Sequence, residues 1–336
     1  MVELQKFIDK WLGGLIILLL YPLSLFKQKR LINKPKKILL IKLWAIGDSI
    51  ISLSLLNAIK KKYPTSTIDV LTRERILDVY ESYDLIDNII NYDKNWLKII
   101  FSKVKYDLVF DTEPYLNLSA ILSFKLGKFR IGFSNQFRST LYNKTVKFDK
   151  KQHMVDNYLD MIRLLGHKYK TNQLEELNNI PDESKEPIND YLKQNKIKKK
   201  DLIIGLTPGV AESAKNRMWY EDRFANLADK LIKENKAKIL FIDGPSNRDV
   251  VSSIISQMKE KSNVFEPKFK LQETFYLISK CSIFISNDTG PMHIAAAQGC
   301  KTIGLFGPNT PVLWGPYGKN NISIYKTKLS PCIEND

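Results

Sequence analysis

The sequence predicts an α/β protein made of two consecutive parallel-sheet halves. Short runs rich in Ile, Leu and Val alternate with helical patterns, a polar lysine-rich stretch interrupts them, and the same alternation then begins again. At 336 residues the chain is long for one compact domain and comfortable for two.

The first half opens with KKILLIKL (residues 36–43), an apolar run bounded by Lys and Pro that reads as a buried parallel strand. WAIGDS (44–49) reads as a turn, 50–62 as a helix ending before Pro64, and Thr67–Thr72 as the strand completing a βαβ unit. Runs at 86–91 and Tyr106–Asp111 continue the alternation, and 153–165 has helical spacing that stops at Gly166, a natural C-cap. Residues 178–200, with Pro181 and Pro187, read as an inter-domain segment. The second half places strands at 201–207, 237–243, 281–286 and 301–307, with helices at 220–234, 249–259 and 274–280. The expected organisation is an N-terminal membrane-associating segment and basic linker (1–34), a first domain (35–180), a linker (181–200) and a second domain (201–336). Paired α/β halves imply a cleft, and ligands in such sheets bind outside the carboxyl ends of the strands.

Lys and Arg number 52 against 36 Asp and Glu, a net charge of +16. That excess attracts polyanions, whether lipid headgroups, phosphorylated substrates or nucleic acid, although a lysine-rich proteome produces the same surface. No aromatic-interleaved basic patch or nucleic-acid motif occurs, so no nucleic-acid partner is expected. Cys281, Cys300 and Cys332 have no C-x-x-C spacing, and His153, His167 and His293 are scattered; neither a disulfide scaffold nor a metal site is expected.

Residues 11–26, WLGGLIILLLYPLSLF, form an uninterrupted run of apolar or small residues. As a helix it spans about 24 Å, short of the ~30 Å hydrocarbon core, and Gly13, Gly14 and Pro22 weaken it further. Lys27, Lys29, Arg30, Lys34, Lys36 and Lys37 follow, as beside an anionic cytoplasmic leaflet. The segment reads as an in-plane or re-entrant anchor, with a true span or a buried core helix as the other readings.

Three post-strand loops carry the candidate chemistry. In the first, Gly47 permits a tight turn and Asp48 stands at a helix start, either as an N-cap or as a carboxylate available as a base. No G-x-G-x-x-G or Walker lysine occurs there. In the second, Thr207, Gly209, Lys215 and Arg217 precede a helix and suit a diphosphate, or form a solvated basic loop. In the third, Asp288 or Thr289 is positioned to cap a helix that Pro291 opens, Gly290 admits a ligand to the backbone, and His293 falls in the first turn, directed at whatever occupies that terminus.

At these loops the sequence resembles glycosyltransferase family 9, the ADP-heptose–lipopolysaccharide heptosyltransferases and their relatives. KILLIKLWAIGDSIISLSLL looks like the family's opening strand and Gly-Asp loop, and TPGVAESAKNRMWYEDRFANLADKL like its second signature. FISNDTGPMHIAAAQGCKTIGLFGP matches its Asp-Thr-Gly-x-x-His segment almost throughout. The resemblance implies a GT-B fold, two Rossmann-like parallel-sheet domains facing across a cleft. It implies inverting transfer from a nucleotide-sugar donor, typically ADP-heptose, to a lipid-linked saccharide such as lipopolysaccharide core. It carries the general base onto Asp48 and donor contacts onto Lys215, Thr289 and Gly290, with Asp288 and His293 matching the third motif. Asn247 stands where many members have an acidic residue near the nucleoside ribose. No metal or other cofactor is implied beyond the nucleotide-sugar co-substrate. The expected location is cytoplasmic, peripheral at the inner membrane. The competing readings are a nucleotide-sugar epimerase of similar fold and a non-catalytic basic membrane-binding protein.

Overall fold

The computed structural model describes residues 2–26, 30 and 32–326. The chain divides into two compact units, Met1–Thr171 and Asn172–Asp336. In the first, α1 (Val2–Ile8) continues through a π-helical turn at Asp9–Gly13 into α2 (Gly14–Ser24). Then follow β1 (Lys37–Ile41), α3 (Ile46–Lys62), β2 (Thr67–Thr72), α4 (Leu77–Glu81), β3 (Asn88–Asn91) and α5 (Tyr92–Phe101). The unit continues through β4 (Tyr106–Asp111), α6 (Asn117–Leu126), β5 (Gly127–Phe133), β6 (Lys144–Val146) and α7 (Met154–Arg163). The strands pair in parallel in the order β3-β2-β1-β4-β5-β6.

The second unit starts with α8 (Asp182–Gln194), β7 (Ile203–Thr207), α9 (Glu221–Asn235), β8 (Lys238–Phe241), α10 (Arg248–Gln257) and β9 (Val264–Phe265). It ends with α11 (Leu271–Ile278), β10 (Ile283–Asn287), α12 (Gly290–Ala297), β11 (Lys301–Phe306), α13 (Pro311–Trp314) and β12 (Ile322–Tyr325). Its parallel order, β12-β11-β10-β7-β8-β9, repeats that of the first sheet when each is counted from its own first strand. Each sheet therefore has one topological switch point, between β1 and β4 in the first and between β7 and β10 in the second.

The central strands read as apolar runs because helices cover both faces. On one face of the first sheet, Leu39, Ile41, Leu71 and Val109 pack with Ile99 of α5 and with Leu122 and Leu126 of α6. In the second, Ile204, Leu206, Ile239 and Phe241 pack with Phe224 and Ala228 of α9 and Ile254 of α10.

Three expectations are corrected. The first loop is shorter than expected: α3 already begins at Ile46, so Gly47 and Asp48 are helical, and the turn is made by Ala45 at φ 65° and ψ 128°, a sparsely populated region for alanine. The 181–200 segment is no simple linker. It carries α8, whose Ile188 is buried and whose Tyr191 meets Phe269 edge-on at 5.3 Å, and it belongs to the second unit, which begins at Asn172.

The N-terminal segment is likewise no separate tether. Asp9 accepts the Asn117 and Leu118 backbone N–H groups at 2.9 and 2.8 Å, capping α6, whose own N-cap residue, Leu116, makes no side-chain bond. Gly13 is required there, because a Cβ would lie 2.8 Å from Asn117 Cβ. Ile17 joins Ala120, Leu141 and Tyr142 in a buried cluster. The opposite side is bare, with Phe7, Trp11, Leu15, Leu18, Leu19 and Leu23 exposed. Among the described residues no helix is long and apolar enough to cross a membrane. Lys27 and Lys29 of the expected basic linker lie outside the described residues; Arg30, Lys34, Lys36 and Lys37 are exposed.

Candidate active site

The first unit's switch point is built on buried charge. Directly after β1, Lys42 is fully buried, and its Nζ lies 3.2 Å from Glu113 Oε1 and 3.5 Å from Asp48 Oδ2. Glu113, just beyond β4, also accepts the backbone N–H groups of Leu43 at 2.7 Å and Trp44 at 2.9 Å, pinning the loop that leads to Asp48. Beneath it the buried Arg138 donates to the Glu113 carbonyl and lies 3.6 Å from Asp111, which accepts the Tyr142 hydroxyl at 2.6 Å. Burial alone pushes the Lys42 pKa down, but Glu113, with Tyr158, Asp48 and Tyr80, outweighs it and holds the ammonium well above the usual lysine range. A permanent cation thus sits behind Asp48.

Asp48 is not a helix cap. The N-cap of α3 is Ala45, which makes no side-chain bond, and Asp48 follows in the first turn. Its carboxylate is 25% exposed, with Lys42 on its buried side. It is an ionisable oxygen base at the carboxyl edge of the sheet, able to accept a proton from a hydroxyl.

The second unit's loops are joined by hydrogen bonds through side-chain amides and carboxylates. Asn287, buried at the end of β10, donates to the Pro208 carbonyl at 2.6 Å and accepts the Trp219 N–H at 3.1 Å, tying together the loops after β7 and β10. Asp243, after β8, accepts from Gly209 N at 2.5 Å, Gly244 N at 2.9 Å and Asn247 Nδ2 at 2.7 Å. Burial raises the Asp243 pKa, and these three donors oppose the shift. Asn247 packs directly on Gly209, leaving no room for a Cβ there.

Arg217 Nη1 lies 3.2 Å from Asp288 Oδ2, with Asp288 5% exposed and Arg217 34% exposed. Asn309, after β11, donates to the same carboxylate at 2.6 Å. Burial raises the Asp288 pKa, against the pull of Arg217 and Asn309. Beside this pair Thr289 is the N-cap of α12 and makes no capping bond, and Thr289 and Gly290 remain partly exposed. A guanidinium, a hydroxyl and the positive end of a helix suit an anionic oxygen cluster.

The structure therefore brings Arg217, Asp288, Thr289 and Gly290 together, and seats Asn247 on the neighbouring loop. Three expected donor residues are placed otherwise. Thr207 is fully buried, its Oγ1 donating to the Ile242 carbonyl at 2.5 Å, so its hydroxyl holds the sheet edge. Lys215 is 66% exposed and paired with Glu212 at 2.6 Å, an i,i+3 contact within the Glu212–Arg217 turn. His293 is buried in α12 and does not lie open at the helix mouth. Neither Asp288 nor Thr289 caps α12 through its side chain; Asp288 orients Arg217 instead. Lys42, Glu113, Asn287, Asn309 and Asp243 are the positioning residues that loop-by-loop reading missed. The switch-point rule points to Glu113 and Asn287, which sit at the ends of β4 and β10.

Comparison with known proteins agrees with this architecture. The family model for glycosyltransferase family 9 (heptosyltransferase) matches residues 100–336. The lipopolysaccharide core heptosyltransferase OpsX of Haemophilus influenzae is 23% identical over 309 residues, covering 87% of this chain and 85% of the relative. A glycosyl transferase family 9 structure from Veillonella parvula superposes with a TM-score of 0.78 at 26% identity, covering 88% of this chain and 87% of that one. The E. coli heptosyltransferase WaaC with ADP superposes with a TM-score of 0.67 at 20% identity, over 85% and 92% of the two chains. Two Rossmann-like domains of the GT-B fold fit these likenesses. The chain belongs to glycosyltransferase family 9 and is a glycosyltransferase.

Proposed function

We propose that this enzyme transfers heptose, with inversion, from ADP-heptose to a lipid-linked saccharide acceptor such as lipopolysaccharide core. The observation that carries the mechanism is the carboxylate of Asp48, part-exposed at the first switch point and backed by the buried Lys42 ammonium. The acceptor hydroxyl oxygen attacks the anomeric carbon as the bond from that carbon to the diphosphate oxygen breaks. Asp48 takes the hydroxyl proton, and the charge released on ADP is met by Arg217, Thr289 and the α12 N-terminus. Lys215 joins this clamp only by leaving Glu212. Asn247 faces the nucleoside side, where an amide binds a ribose hydroxyl in place of a carboxylate. The choice of ADP and heptose rests on the names of the relatives and on this loop chemistry. Membership of the transferase family disfavours the epimerase and the non-catalytic binding protein.

The same proposal places the protein at the cytoplasmic face of the inner membrane, with α1 and α2 lying in the membrane plane. The bare apolar side of this helix, together with exposed Lys10, Arg30, Lys34 and Lys36, suits an anionic interface. The test is a thermal-shift panel of ADP, UDP, GDP and CDP, followed by turnover with ADP-heptose and heptose-deficient lipopolysaccharide. ADP at 100 times its Kd adds about 2.7 kcal/mol. An equal or larger shift with UDP would remove the heptose assignment while leaving the fold and family intact.

A further inference from the structure

We propose that α5 is a second membrane-contacting element, inserted into the same anionic lipid surface as the N-terminal helix. The inference rests on the in-plane reading of α1 and α2. Its own observation is a run of exposed apolar side chains: Trp96, Leu97, Ile100 and, just beyond the helix, Val104 are each about half exposed, and Phe101 is 78% exposed. The i, i+1, i+4, i+5 spacing of the four helical ones makes one stripe, which Val104 follows in sequence, while Ile99 turns the other way into the sheet core. Scattered exposed apolar residues need no explanation, but a contiguous aromatic and aliphatic stripe on one helix marks an interaction surface.

Charge selects the occupant. Lys98, Lys103 and Lys105 are exposed alongside the stripe. The nearby acids are already paired, Asp93 with Arg73 at 2.8 Å and Glu74 with Lys94 at 2.8 Å. An apolar stripe flanked by exposed lysines fits an anionic bilayer interface, where the stems and rings sit at headgroup depth and the ammonium groups meet phosphate. Placement supports the same occupant. Through Ile99, α5 packs on the sheet face that Leu122 and Leu126 of α6 also cover. The N-terminal helix lies on α6 itself, through Ile17, Ala120 and the capping contact of Asp9. Both bare apolar surfaces therefore belong to one side of the first sheet. A single in-plane helix leaves the protein free to roll about its axis; a second contact fixes the roll and hence the presentation of Asp48 to a lipid-borne acceptor.

The test uses the full chain with phosphatidylglycerol-containing vesicles and with pure phosphatidylcholine vesicles, read by flotation. Leu97→Ser combined with Phe101→Ser should lower partitioning at least about tenfold, with the unfolding midpoint and ADP shift unchanged. Lys98→Glu with Lys103→Glu should cut the preference for anionic vesicles by about fivefold per lysine. If the serine pair perturbs folding, Trp96→Phe serves instead: it should remove part of the tryptophan quenching by brominated lipid while leaving flotation intact. Unchanged partitioning in the serine pair, or unchanged quenching in Trp96→Phe, overturns the role of α5. If Leu15→Ser with Leu19→Ser still abolishes binding, the in-plane helix survives that result. A wild-type protein that floats with neither vesicle overturns both.

Discussion

The two switch points both hang on carboxylates, but one seals its cation in and the other leaves it part-exposed. In the first unit, Lys42, Glu113, Arg138 and Asp111 are all buried, and the loop to Asp48 hangs on carboxylate–amide and carboxylate–ammonium contacts. In the second, Asn287 and the carboxylates of Asp243 and Asp288 do the holding, and Arg217 keeps a third of its side chain in solvent. The difference follows from the tasks. A proton acceptor must stand in a fixed place before the reaction starts, so its counter-charge is sealed in. A site for a diphosphate leaving group must keep its cation accessible until the ligand arrives.

Asp48→Asn should break the comparison most sharply. The substitution keeps size and polarity but removes the proton acceptor. Capping is not at stake, because Ala45 is the N-cap. Turnover should fall by about 10²–10⁴-fold with ADP affinity unchanged, measured by steady-state kinetics and calorimetry on one preparation. A loss below about tenfold would take Asp48 out of the chemistry.

Lys42→Met comes next and is read as stability. Removing the ammonium leaves Glu113 buried and uncompensated, so urea denaturation should show a loss of about 3–5 kcal/mol. Adding Glu113→Gln should recover much of it. If the single change costs under about 1 kcal/mol, the buried charges do not fix the loop.

Arg217→Ala tests the other side. It should weaken ADP binding about 10- to 100-fold. It also has a pH signature. Burial already holds the Asp288 pKa up, opposed by Arg217 and Asn309. A carboxyl whose folded pKa lies above its unfolded value stabilises fully only below the unfolded value and loses that contribution as pH rises through the folded one. Removing Arg217 raises the folded value further, so the stability lost in the variant should grow as pH rises above the ordinary carboxylate range, about 4. A pH-independent penalty would mean the pair is not coupled in solution.

The sheets were legible because buried parallel strands appear as short unbroken apolar runs, and the Gly47-Asp48 pair stood out a few residues after one of them. What stayed hidden was pairing over long sequence separations. Lys42 closes an apolar run and looks like an ordinary surface lysine until Glu113 is found beside it. Asp9 looks like a stray acid ahead of a hydrophobic stretch until it caps α6 at Asn117 and Leu118. Helix α8 was masked by its polar composition, since it buries only a narrow edge through Ile188 and Tyr191. Thr207 and Arg217 share one loop in sequence, yet one hydroxyl is consumed by a backbone carbonyl and the other side chain reaches the third loop.

The smallest expected effect separates the two cations of that loop. The family resemblance puts the diphosphate contact on Lys215, whereas the geometry favours Arg217. Lys215 is largely in solvent and must abandon Glu212 to reach a ligand, and an exposed pair of this kind is worth little either way because water and salt screen it. Arg217 is already oriented by the buried carboxylate of Asp288, next in sequence to Thr289 and Gly290, so it gives up less rotamer freedom on binding. Lys215→Ala should therefore weaken ADP binding by no more than about fivefold, and raising the salt concentration should erase the difference from wild type. Calorimetry of the two alanine variants at low and high salt decides the matter. If Lys215→Ala matches or exceeds Arg217→Ala at both salt concentrations, the Glu212–Arg217 turn refolds around the donor, and Lys215 is the clamp.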